Sequence, residues 1–203
     1  MPVAAIAVAI FINALWGGNP IAVKIGLEVF PPFWSAFVRF SIGAACMVLW
    51  AAVTRQRLWP ARGEWPSLFW LSALFGVQIA LMNVGIDQSR GAIAAVLISM
   101  YPLFAAGLSH FFGPGDRLTL SRAIGLLVAF SGAVLIVIGP SGGGLIGPVG
   151  LGELMVLVSA ALLGGRLVLT AALLRRIDTA RVMFWQMVLA LPVFLAAALP
   201  SET

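Results

Sequence analysis

Long apolar stretches alternate along this chain with short polar links. The apolar runs cover 3–23, 33–53, 67–86, 91–112, 119–139, 149–174 and 181–199. Each approaches the ~20 mainly apolar residues a helix needs to cross a bilayer. The links are marked by Pro31-Pro32, Pro60 to Pro66, Ser89-Arg90-Gly91, Pro114-Gly115-Asp116 and the glycine-rich stretch 139–150, residues that end helices and turn the chain. The pattern predicts an all-α polytopic membrane protein with seven spans and no room for a soluble domain.

The first run is interrupted at Leu15-Trp16-Gly17-Gly18-Asn19-Pro20, with Lys24 four residues further on. Asn13, Trp16, Pro20 and Lys24 fall on one side of a helix, with Asn19 at its margin. Polar groups gathered on one face of a span look into a protein interior or a wet cavity. The pattern returns at Leu162-Leu163-Gly164-Gly165-Arg166, 147 residues later when Gly17 is laid over Gly164. The same offset lays Phe37-Val38-Arg39-Phe40 over Phe184-Trp185-Gln186-Met187. Run one then matches run six and run two matches run seven. The copies lie an odd number of spans apart, so they enter the membrane from opposite sides. Inverted repeats recur in secondary transporters, with the substrate site near the midplane between them. The expected domains are a five-helix repeat over 1–140 and the first two helices of an inverted second repeat over 148–203. A full second copy needs three more spans, so the chain reads as part of a ten-span protein.

Composition agrees with the pattern: 62% of residues are hydrophobic, 9% are charged, and mean hydropathy is +1.08, against roughly 25% charged in a soluble domain. The net charge of +5 lies in short links rather than on one solvated face, so it carries topology and not a nucleic-acid site. Arg55, Arg57, Arg62, Arg117, Arg122, Arg175, Arg176 and Arg181 flank the even-numbered links; only Lys24 and Arg90 flank the odd ones. Such a bias predicts a cytoplasmic N-terminus in a bacterial inner membrane. The first run is too long for a signal peptide and lacks a basic lead, so it reads as a retained span. The expected partners are the lipid bilayer and a small-molecule substrate. Oligomeric state leaves no trace in the pattern.

Several residues are candidates for a substrate path. Arg166 lies eight residues before residue 174, ~12 Å from the cytoplasmic end of its helix. It either faces a central cavity, attracting an anionic or zwitterionic substrate, or snorkels to the headgroups beside Arg175. Arg39 sits ~9 Å inside the outer end of run two, where an ion pair with Glu28 or Asp87 is the plainer reading; Lys24 shares that ambiguity. Trp16 and Asn19 fit a cavity, because tryptophan at mid-span departs from its usual interfacial belt. Gln78, Asn83 and Gln186 could bond a substrate or join helices, with the structural role favoured for Asn83. Pro102 falls inside run four and, with Tyr101, could line the path at a bend. Cys46 reads as a buried structural thiol and His110 as an ordinary packed or interfacial residue. No cofactor, metal site or catalytic residue is expected.

These residues together resemble the EamA family of the drug/metabolite transporter superfamily. The resemblance runs through Trp16-Gly17-Gly18-Asn19-Pro20 with Lys24, Pro31-Pro32, Arg39-Phe40, Ala94-Ala95-Val96-Leu97, Tyr101-Pro102-Leu103-Phe104, Gly125, Gly132-Ala133 and Gly152-Glu153-Leu154. It implies ten helices in two inverted five-helix repeats and export or exchange of small metabolites. Two features depart from it: Gly115-Asp116-Arg117 stands for the usual Gly-Glu, and Leu163 precedes Gly164-Gly165 where the family carries an aromatic.

A secondary transporter working by alternating access is therefore the expected function. The chain has no Gly-x-x-x-x-Gly-Lys phosphate loop, which argues against direct ATP hydrolysis. A membrane-embedded enzyme is the alternative, although His110 has no Gly-x-Ser-x-Gly stretch or ligand cluster beside it. A retinal-binding seven-helix receptor would need a lysine in run seven, and none is there.

Overall fold

Each predicted apolar run becomes helical, because a backbone without water can satisfy its N–H and C=O groups only within the segment itself. In a computed structural model of the chain, the described residues are 3–112, 119–138 and 150–201. They form α1 (Val3–Leu27), α2 (Pro32–Thr54), α3 (Trp65–Asp87), α4 (Gly91–Ile98), α5 (Tyr101–Phe112), α6 (Leu120–Ile138), α7 (Leu151–Leu173), α8 (Thr179–Val188) and α9 (Leu191–Ser201), with no strand among them. The protein is an all-helical polytopic membrane protein. Six segments are long and apolar enough to cross a bilayer, α4–α5 and α8–α9 each counting as one. The fifth predicted run is the 19-residue α6, which qualifies only as a shorter apolar helix over Ala123–Gly132. Most of the 139–150 link, the Gly115-Asp116-Arg117 stretch and the Arg122 side chain lie outside the described residues.

Two runs expected to be continuous are broken. Run four pauses at Ser99 and Met100, and run seven at Leu189 and Ala190. Pro102 and Pro192 are each the second residue of the helix that restarts, a position where a missing N–H leaves no helical bond unmade. Pro102 therefore sits in the first turn of the helix that follows the pause.

The bundle is built around α3, whose apolar residues are spread around its circumference and which is the most deeply buried of the candidate spans, as expected of a helix enclosed by others. Its main partner is α7, which also packs on α4 and α5; α2 packs on α8 and α9, and α1 on α4 and α3. Glycine permits these approaches. A Cβ on Gly85 would come within 2.8 Å of the Gly152 carbonyl oxygen, and one on Gly152 within 2.9 Å of the Gln88 backbone. One on Gly164 would come within 2.7 Å of the Ala105 nitrogen and 2.8 Å of the Tyr101 carbonyl oxygen. The main core gathers Phe75, Ile79, Met82 and Ile86 of α3 against Val156, Ala160 and Leu163 of α7 and Phe194 of α9.

Polar contacts tie the two ends. At one end Lys24 donates to the Ile86 and Asp87 carbonyl oxygens at 3.0 and 2.6 Å, a cation on the C-terminal carbonyls of α3. At the other, Arg181 Nη1 donates to both Glu64 oxygens at 2.7 and 2.9 Å. Trp185 Nε1 there donates to the Leu58 carbonyl at 2.7 Å, and its ring lies edge-on to Trp59 and Trp65. Midway, Gln78 Nε2 donates to Ser159 Oγ at 3.1 Å and Ser159 Oγ donates to the Gln78 carbonyl oxygen at 2.9 Å, joining α3 to α7. Cys46 is exposed on α2, not buried: its neighbours on that face are themselves outward.

Gly164→Leu is expected to destabilise the chain by ~1–3 kcal/mol through overpacking, whereas Gly17→Leu is expected to leave stability unchanged, because nothing lies within 4 Å of a Cβ there. Unfolding of the detergent-purified variants measures both, and equal losses would refute the close α5–α7 packing. Ser159→Ala is expected to cost about 1–2 kcal/mol by stranding the Gln78 amide. Adding Gln78→Leu should restore part of that loss, and strictly additive losses in the double-mutant cycle would mean the clamp is not coupled.

Candidate functional site

Near the middle of the bundle α1, α2, α3, α4, α7 and α8 enclose a cavity of about 440 Å³. That size lies within the ~300–1,000 Å³ of small-molecule sites. Helical periodicity explains the lining. Trp16, Asn19 and Pro20 share a face of α1; Phe75, Gln78, Ile79 and Met82 share a face of α3; Leu163, Arg166, Leu167 and Thr170 share a face of α7. From α8 come Met183, Gln186 and Met187, from α2 Arg39 and Phe40, from α4 Ile98, and from the pause in run four Ser99.

Arg166 is only 9% exposed and points inward, so it does not snorkel toward Arg175. Its Nη1 donates to Gln186 Oε1 at 3.1 Å, and its guanidinium lies 5.0 Å from the Phe75 ring centroid. Gln186 Nε2 meets the Met183 sulfur at 3.2 Å, which fixes the amide with its oxygen toward Arg166. Arg39 lies 4.9 Å from the Phe40 ring centroid and its Nη2 donates to Asn83 Oδ1 at 3.5 Å. Its side-chain partner is this amide and not Glu28 or Asp87, because Asn83 is buried beside it and held by donation from Nδ2 to the Pro32 carbonyl at 2.9 Å. The Phe40 and Phe75 rings meet edge-on at 4.8 Å. Each cation thus rests on one ring of a joined pair, a contact worth roughly 0.5–2 kcal/mol depending on desolvation.

Polar atoms remain without partners among the described residues. Gln78 Oε1, Arg166 Nε and Thr170 Oγ1 are buried and make no hydrogen bond, and all three residues line the cavity. No Asp or Glu among the described residues belongs to the lining. Among the described residues no group of His, Cys, Asp and Glu comes together to hold a metal ion.

Of the residues singled out in the sequence, Trp16, Asn19, Arg39, Gln78, Arg166 and Gln186 come together on this cavity. Trp16 is 51% exposed and meets Tyr101 edge-on at 6.3 Å. Tyr101 itself packs on the core behind the lining, and Pro102 is exposed. Lys24 is taken up by the end of α3 and does not reach the cavity. The Asn13 side chain lies outside the described residues. Sequence reasoning missed Phe40, Phe75, Thr170 and the methionines. The available signal was spacing: Thr170 stands four residues from Arg166, Phe75 three from Gln78, and Met183 three from Gln186.

The EamA-like transporter family matches residues 3–138. The Uncharacterized transporter YdfC of Bacillus subtilis (strain 168) is 29% identical over 126 residues, 62% of this chain and 40% of that protein. The Uncharacterized transporter YoaV of the same organism is 24% identical over 181 residues, 89% of this chain and 61% of that protein. The Uncharacterized inner membrane transporter YedA of Escherichia coli (strain K12) is 27% identical over 134 residues, 66% of this chain and 42% of that protein. The match with this chain spans less than two-thirds of the length of each of these relatives. No solved structure matches. Because the family match takes in well over half of the 203 residues, the chain belongs to the EamA-like transporter family.

Proposed function

We propose that this chain forms the first repeat, 1–140, and the opening of an inverted second repeat, 148–203, of a secondary transporter. It moves a small metabolite, amino acid or drug-like compound across the bacterial inner membrane by alternating access, in the direction of export. The observation that carries this reading is the mid-bundle cavity, which gathers Trp16, Asn19, Arg39, Gln78, Arg166 and Gln186 from four helices and the α8 segment. Two interrupted spans border it, at Ser99 in run four and just beyond Met187 in run seven. Discontinuous helices at a midplane site are a transporter device, because irregular backbone is tolerated there only where it lines a cavity. The printed names of the relatives as transporters support the same reading.

The ends of the bundle supply what alternating access requires. One end is held by Lys24 on α3 and by the Gly85–Gly152 approach. The opposite end is held by Arg181–Glu64 and the Trp59, Trp65 and Trp185 rings. Loosening these ends in turn would expose the cavity to one side and then the other. The basic residues of the even-numbered links set the second end, and the N-terminus, in the cytoplasm.

Flux of labelled leucine, phenylalanine, 3-phenyllactate and a fluorescent amphiphile, measured in vesicles carrying the whole chain, tests transport. At least one compound is expected to move faster than through empty vesicles, and Asn19→Ala and Gln186→Ala are expected to slow it about tenfold; no flux for the chain would defeat the proposal. Orientation is read separately in a Cys46→Ser background. An impermeant maleimide applied to intact spheroplasts is expected to label Gln88→Cys, and Gln56→Cys only after permeabilisation. The reverse pattern would invert the topology.

A further inference from the structure

We infer that the cavity selects an organic carboxylate with an apolar body and a hydroxyl group, in preference to a cation or a neutral amphiphile; the inference deepens the transport reading of the same cavity. The first argument is charge. Arg39 and Arg166 both line the cavity and, among the described residues, no carboxylate does, so a cation entering it meets repulsion from both, and an anion meets two attractions in surroundings that screen them weakly.

The second argument is geometry. A guanidinium takes a carboxylate best with two parallel bonds, and one edge that offers this contains Nε. Gln186 occupies Nη1 of Arg166, while Nε is buried and without a partner. Thr170 stands one turn along α7 on the same lined face, and its hydroxyl is also buried and unpartnered. With the Arg166 and Thr170 side chains turned toward the cavity, an anionic head set at Arg166 would satisfy Nε and accept from the Thr170 hydroxyl together.

The third argument is the orientation of Gln78. Ser159 has one hydroxyl proton, and it goes to the Gln78 carbonyl oxygen. Its oxygen must then accept from the amide, which sets Nε2 toward Ser159 and leaves Oε1 as a buried, unpartnered acceptor. Reached by a small shift of the Gln78 amide toward the cavity, that acceptor calls for an O–H or N–H on the ligand. A hydroxyl suits it better than an ammonium, because among the described residues the lining holds no acid to balance a positive charge. The remaining walls, Phe75, Ile79, Met82, Met183 and Met187 among them, are apolar, and methionine adapts to varied shapes.

Calorimetric titration of the full chain in lipid nanodiscs with 3-phenyllactate, 3-phenylpropanoate, 3-phenyllactamide and phenethylamine tests this. The expected order is phenyllactate first, phenylpropanoate several-fold weaker, and the amide and the amine at least tenfold weaker than phenyllactate. Arg166→Lys, which keeps the charge and loses the fork, is expected to weaken phenyllactate about tenfold and leave the amide unchanged. Thr170→Val is expected to weaken the acid several-fold in a chain whose fold does not depend on that hydroxyl. The amide or the amine binding as tightly as the acid, no binding of the acid, or unchanged affinity in Arg166→Lys would overturn the inference. Counterflow of labelled phenyllactate in vesicles separates the two readings. Selective binding without flux would remove the transport reading and uphold the ligand class, whereas flux favouring phenethylamine would do the reverse.

Discussion

The structure depends on how closely α7 approaches α3 and α5. Lipid tails are as apolar as leucine, so no hydrophobic force drives spanning helices together, and association rests on van der Waals contact and interhelical hydrogen bonds. Gly85, Gly152 and Gly164 let backbone meet backbone, and the Gln78–Ser159 exchange adds polar glue between them. That approach turns the face of α7 carrying Arg166 and Thr170 toward α3 and α8. Without it the arginine would have neither the Phe75 ring nor the Gln186 amide.

Burying two arginines in the span region is costly, and the way the cost is met has a consequence. Each guanidinium is supported by an aromatic ring and a neutral amide instead of a carboxylate. Rings and amides orient a cation and stabilise it modestly without cancelling its charge. A carboxylate in the lining would have neutralised the site. Among the described residues the cavity lining therefore carries net positive charge in apolar walls, with Arg166 Nε unpartnered.

Much of this was legible in the sequence. The apolar runs stand out because the bilayer imposes length and composition together, and Arg166 and Gln186 stand out because polar residues are rare in such runs. Their inward direction was not legible, since a snorkelling arginine and a buried one look alike until the packing of α7 is known. Phe75 and the methionines were invisible for a related reason: lipid-facing and cavity-facing apolar residues have the same composition, so a span lacks the polar contrast that marks the inner face of a soluble helix. Lys24 carried a polar signal that belongs to the end of α3, and Arg39 found an amide where the charge pattern pointed to an acid. The breaks at 99–100 and 189–190 were hidden because each following proline fits the first turn of a helix as well as it marks a bend.

Gly17 and Gly164 show where repeat logic stops. Aligned, they are the same signal; in the structure Gly164 meets the backbone of α5, while a side chain at Gly17 would meet nothing within 4 Å. A small residue permits close approach and does not compel it, so its effect is set by what lies opposite. The cavity accordingly has two kinds of wall. The α3, α7 and α8 side is packed, hydrogen-bonded and carries Gln78, Arg166, Thr170 and Gln186. The α1 side is held by Lys24 at one end and by packing on α4, with Trp16 half exposed beside Tyr101. Most of the polar groups of the cavity thus lie on the packed wall, while the α1 wall contributes Trp16 and Asn19 and is less deeply buried.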